Sequence, residues 1–140
     1  MFVLSGLRRQ TSGLCLVLFF LAAPRINAQD IPPETAARII VSEAADQGLK
    51  GMICVGEVLR RRASTKGFYG YQWNINIHQP TTIWAMARKA WGLSANTNFT
   101  NGADHFENVH AFGSPWWARH CIKTYEYKDH VFFREVRRRS

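Results

Sequence analysis

One carboxylate in this chain stands where a carboxylate is costly. Glu43 follows Ala36, Ile39 and Ile40 by seven, four and three residues. At 3.6 residues per turn these positions share one face of a helix. Glu43 therefore falls at or beside an apolar stripe, close to the helix end that Gly48 marks. Desolvation and the negative end of the helix dipole both disfavour its ionised form. A carboxyl kept protonated near neutral pH is what a general acid requires. The plainer reading is a boundary glutamate that reaches water or pairs with an arginine.

Other reactive side chains form weaker patterns. His105, His110, His120 and His130 invite a zinc reading, but their spacing matches no common ligand signature, with no HExxH and no CxxC. No metal and no cofactor is expected. There is no P-loop and no glycine-rich dinucleotide fingerprint. Cys54 falls on a helix face rather than at a helix start, which gives it no catalytic context. In an oxidising compartment Cys54 and Cys121 could form a disulfide, worth roughly 4 kcal/mol in the chain-entropy model. The alternative is two buried free thiols. Residues 64–80 mix glycine, aromatics and amides closely. That mixture suits a groove that stacks sugar rings and bonds their hydroxyls; an ordered surface loop is the alternative.

The elements that must position these residues are legible in outline. Pro32, Pro33 and Glu34 fit a helix start, and the first helix is expected to run to about Gln47. A second follows from about Lys50 to Ala63. Met52, Val55, Gly56 and Leu59 give its inward stripe, and Arg60, Arg61 and Arg62, expected to be mostly solvated, close it. The short link at Gly48 makes these an antiparallel pair. Thr81 or Thr82 is expected to cap a third helix ending at Gly92. The last third changes period: a short strand at 103–106, a turn or short helix from Ser114, then a hairpin of Ile122–Tyr127 and His130–Arg134 around Lys128-Asp129. The fold class is α+β, mainly helical, with a small β element near the C-terminus.

Composition bounds the rest. A chain of 140 residues with 46% hydrophobic and 20% charged residues is one ordinary globular domain. Residues 1–28 look like a signal peptide: Arg8 and Arg9 precede an apolar core from Leu14 to Ala23, too short to span a bilayer, and Ala28 offers a cleavage point. The chain is then exported, with residues 29–140 as the mature domain and no later membrane span. The whole chain carries a net +8. Without residues 1–28, fifteen basic side chains remain against ten acidic ones, a net +5. A basic exported domain suits an anionic partner such as a wall polymer, a membrane surface or nucleic acid; solubility alone explains the charge equally well.

Several stretches, in one order, resemble the SleB-type cell-wall hydrolases, the spore-cortex-lytic enzyme family. The resemblance runs from about Ala37 to Phe133. Ala37-Arg-Ile-Ile-Val-Ser-Glu-Ala-Ala-Asp-Gln-Gly48 is similar to the family's A-R-hydrophobic-x-x-x-E-A-x-x-x-G helix. Leu59, Arg61 and Ser64 fit its V-x-x-V-x-L-N-R-x-x-S helix. Tyr71-Gln-Trp73 resembles Q-F-S, Gly102-Ala-Asp-His-Phe106 resembles G-A-x-H/Y-F/Y, and Pro115-Trp116-Trp-Ala-Arg119 resembles P-x-W. Lys123-Thr124 through His130-Val-Phe132 resembles T-x-x-I-G-x-H-x-F. Departures are Arg60 for the family's Asn, Tyr127-Lys128 for its I-G, and Asn74 for its Ser. They touch cleft details rather than Glu43.

The resemblance implies a lysozyme-like, lytic transglycosylase-like domain acting on peptidoglycan glycan strands. Such an enzyme cuts between N-acetylmuramic acid and N-acetylglucosamine without water. Glu43 would protonate the glycosidic oxygen, then act as base on the muramyl 6-hydroxyl, closing a 1,6-anhydro ring. Ordinary glycosidases need two suitably spaced carboxylates, and the sequence makes none of Asp46, Glu57, Asp104 or Glu107 an obvious partner. By the same resemblance Tyr71 and Gln72 line the cleft, His105 and His130 hold sugar or orient Glu43, and Trp116 stacks on a ring. The alternative is a catalytically inactive cationic peptidoglycan-binding module. Nucleic-acid binding has charge in its favour, but export and the absence of interleaved aromatics stand against it.

Overall fold

The computed structural model describes residues 31–68 and 78–136. The signal-like segment 1–28, together with Tyr71 and Gln72, lies outside the described residues. The first helix, Pro33–Ala44 (α1), begins as expected, with Pro at its first turn and Glu34 beside it. Two carboxylate-to-guanidinium bonds of 2.8 and 2.9 Å tie Glu34 to Arg88 of the third helix. The first helix stops three residues earlier than the periodicity implies. Residues 45–47 turn, and Gly48 takes a φ of +72° where the second helix begins, a conformation a side chain would strain.

The second helix, Gly48–Arg62 (α2), is more deeply placed than a one-sided stripe would make it. Every residue from Gly51 to Leu59 is buried. The cause is position: α2 packs on α1, on the third helix, Thr81–Leu93 (α3), and on the first strand. Gly56 allows this, since a Cβ there would come within 2.9 Å of the Ser94 side chain. At its end the three arginines are not simply solvated. Arg60 lies over the Trp91 ring at 3.6 Å and donates to the Trp91 carbonyl and Ser94 Oγ. Arg61 donates to Ala103 O and Asn98 Oδ1. Arg62 stacks on Phe68 and donates to the Lys66 carbonyl. Thr81 is the first residue of α3 rather than its cap; Pro80 precedes it and accepts the Ile83 N–H at 3.0 Å.

The last third forms strand His105–Glu107 (β1), a single helical turn Val109–Phe112 (α4), a 3-10 turn Trp116–His120, and the hairpin Cys121–Tyr127 (β2) and His130–Glu135 (β3). The sheet is antiparallel in the order β1-β3-β2, with Phe106 opposite Phe132 and Tyr127 opposite His130. Val131, Phe132 and Phe133 of the middle strand are buried. Phe132, Phe106, Tyr125 and Tyr127 carry the sheet onto the helical core of Ile39, Ile40, Met52, Val55 and Leu59. Each such aliphatic side chain contributes about 1.5–3 kcal/mol by leaving water. Among the described residues the protein is thus α+β, with three longer helices, the single turn α4, a 3-10 turn and a small three-stranded sheet. No described helix is long and apolar enough to cross a membrane.

Candidate active site

The seam between the helices and the sheet is a groove, and Glu43 sits at its middle. Ile39 and Ile40, one turn earlier on α1, are fully buried and fix that face toward the core. Glu43, next to last in the helix, is half-buried, with its Oε1 atom inside. Two cavities meet at it. The larger, about 700 Å³, is walled by Glu43, Asp46, Gln47, Glu107, Asp129 and His130, among others. The smaller, about 260 Å³, runs the other way past Arg62, Phe68, His105 and Trp117. Glu43, Phe106 and Glu107 belong to both. The end of α1 is therefore one bank of the groove and β1 the other.

His130 opens β3 and lies in the larger lobe. Its ring packs on Phe106 (4.9 Å between centroids) and edge-on to Phe132 (6.1 Å). Burial pushes its pKa down, with Asp46 and Asp129 opposing, so the ring is neutral at neutral pH. Its Nδ1 is buried without a hydrogen-bond partner among the described residues. His105 lies in the smaller lobe. It stacks on Trp117 at 5.1 Å, and its Nδ1 donates to Asp104 Oδ1 at 2.8 Å. That same oxygen accepts the Glu135 N–H, so the imidazole is oriented from the sheet.

Both histidines expected from sequence thus share the groove with Glu43. Trp116 does not. It is 72% exposed and borders neither lobe, whereas its neighbour Trp117 lines the smaller one, edge-on to Phe133 at 5.4 Å. In a 3-10 turn adjacent side chains point in different directions, and the available signal was the P-x-W spacing, which counted from Pro115 falls on Trp117. Glu107 and Phe112 were also missed as groove residues. Glu107 is two positions after His105 on a strand, a spacing that placed it near the site but gave no reason to prefer it over other acids.

Cys54 and Cys121 are free thiols rather than a disulfide. Cys54 is fully buried in α2 beside Lys50 and Glu57, while Cys121 begins β2 beside Asp104 and Glu135. Their surroundings do not overlap. Burial pushes the Cys54 thiol up to about 12.

Glu57 shows by contrast what a structural carboxylate looks like here. It is 3% exposed. Oε1 accepts the Phe99 N–H at 2.9 Å, and Oε2 accepts the Thr100 N–H at 2.9 Å and hydroxyl at 2.7 Å. Together with Arg61 it pins the loop that leads into β1. Among the described residues no group of three or more His, Cys, Asp or Glu is arranged to hold a metal ion. Scans against protein-family models, curated proteins and solved structures each return no match.

Proposed function

We propose that this protein is an exported, lysozyme-like lytic transglycosylase that cleaves the MurNAc-GlcNAc bond of peptidoglycan, with Glu43 as acid and then base. The observation that carries this reading is the half-buried Glu43 at the crossing of two lobes of a groove. A polymer lying along such a groove passes the carboxyl with a residue on either side. Set where the two lobes meet, the Glu43 carboxyl can reach the bond between the two residues, as a general acid must. It can protonate the leaving oxygen and take a proton back from the muramyl 6-hydroxyl, so the bond breaks and the anhydro ring closes without water. His105 and Trp117 serve one side of the cut, and His130 the other.

The test is Glu43→Gln against purified sacculi, with masses read on the released fragments. Wild type is expected to release 1,6-anhydro ends, and the variant to lose at least about 100-fold in rate, the usual scale for removing general acid-base chemistry. Undiminished release by the variant would remove Glu43 from the mechanism. A second reading is hydrolysis with two carboxylates, and Glu107 favours it by bordering both lobes with Glu43. Reducing ends in place of anhydro ends, lost with Glu107→Gln, would select it. Retention on sacculi with no soluble product would leave an inactive cationic wall-binding module.

A further inference from the structure

The larger lobe carries charge of one sign. Its described walls hold Glu43, Asp46, Glu107 and Asp129 and neither Lys nor Arg, whereas the smaller lobe has Arg62. In a chain of net charge +8 such a lobe does not follow from composition. Two of the acids are drawn together. Gln47, 3% exposed, donates from its one Nε2 to Asp46 Oδ1 at 2.8 Å and to Asp129 Oδ2 at 2.9 Å. One carboxylate comes from the α1–α2 turn and the other from the β2–β3 turn. Like charges so placed repel, and a cation before them relieves the repulsion. The nearby Lys128 does not border the lobe; its Nζ lies 3.5 Å from the backbone carbonyl of Asp46.

A second observation is independent of the acids. His130 borders the same lobe, is 7% exposed, and its buried Nδ1 lacks a partner among the described residues. A neutral imidazole with a spare nitrogen is suited to a hydroxyl group. The third is Phe112. It stands at the mouth of the lobe on α4 and is 79% exposed, a placement that costs the fold apolar burial and offers a flat face to a ligand. Asp46 and Asp129 come together as a pair on Gln47, but among the described residues no group of three or more His, Cys, Asp or Glu is arranged to hold a metal ion. A pair of carboxylates suits an ammonium on a larger molecule better than a metal ion, which takes about six or more oxygen ligands.

We propose that the larger lobe is a subsite for a sugar bearing a free primary ammonium, in which Asp46 and Asp129 take the ammonium, Phe112 the face of the ring and His130 a hydroxyl. This rests on the glycan-strand reading given above. The same ammonium chemistry could come from a hexosamine that lacks its N-acetyl group or from the diamino acid of a stem peptide, and the exposed Phe112 favours the hexosamine.

The experiment titrates the full chain at low ionic strength with glucosamine tetramer and, separately, with N-acetylglucosamine tetramer. The free-amine tetramer is expected to bind about tenfold more tightly, the scale of one charge-assisted hydrogen bond, although the basic surface repels it. Asp46→Asn and Asp129→Asn should bring the ratio toward one, and Phe112→Ala should weaken both ligands. The wild-type ratio needs no variant, and circular dichroism checks that each variant is folded. Equal affinities, or a ratio untouched in both aspartate variants, overturn the proposal. A free stem tetrapeptide binding as tightly as the glucosamine tetramer overturns the sugar assignment. Sacculus solubilisation is followed in parallel. Release without any amine preference in the titrations sinks this inference alone; no release from any sacculus sinks the enzymatic reading, while the titrations still decide the subsite.

Discussion

Glu43 and Glu57 are both drawn from water, yet replacing each by Gln should have opposite consequences. At Glu57 the carboxylate accepts three bonds from the 99–100 backbone and the Thr100 hydroxyl. Gln is nearly isosteric but has one oxygen. In its better orientation that oxygen keeps both Thr100 bonds, and the amide nitrogen faces the Phe99 N–H, donor against donor. A buried unpaired donor costs about 1–3 kcal/mol, and each retained bond loses about 1 kcal/mol when its acceptor is no longer charged. Glu57→Gln should therefore destabilise by about 3–5 kcal/mol, read as a lower urea midpoint at unchanged slope. Glu43→Gln should stay within about 1 kcal/mol of wild type while abolishing release from sacculi, since groups held for chemistry rarely stabilise a fold. A loss below about 1 kcal/mol for Glu57→Gln would show that its bonds are not limiting. A larger loss for Glu43→Gln than for Glu57→Gln would reverse the assigned roles.

Two further outcomes follow from protonation. Burial holds the His130 pKa below its unfolded value. The unfolded chain therefore binds the extra proton first, and stability falls as pH drops through about 6.5 toward the folded pKa. Melting temperatures from pH 8 to 5 should show this decline, and His130→Gln should flatten it; an unchanged slope in the variant would assign the decline to other groups. Cys54, buried with its thiol raised to about 12, should resist iodoacetamide at pH 8 in the native protein while Cys121 reacts, and both should react in denaturant. Mass spectrometry reads this directly, and native labelling of Cys54 would contradict its burial.

Much of the fold could be read from periodicity. The proline start of α1, the turn at Gly48, the stop of α3 and the hairpin at Lys128-Asp129 all depend on local chemistry, and each lies within a few residues of where the pattern put it. What depends on tertiary packing was not legible. The all-round burial of α2 needs three neighbours that a stripe of Met52, Val55 and Leu59 cannot announce. The anchoring of Arg60 and Arg61 depends on the 91–103 segment, thirty to forty residues away in sequence. Glu43 stood out because its surroundings are local, set by Ile39 and Ile40 on its own helix. The acids facing it, Glu107 and Asp129, belong to strands and turns whose docking no spacing rule encodes, and the choice between Trp116 and Trp117 turned on a single 3-10 turn.

The order of strands gives the groove a timing. β3 is last of the three in the chain but middle in the sheet, and β1 and β2 bond to it rather than to each other. Neither outer strand has an edge to join until residues 130–135 have been made. A chain emerging amino-terminus first completes the helix that holds the acid early, and the facing bank only at the end. A newly made chain would thus carry Glu43 for most of its synthesis with no opposite bank to close the groove over it.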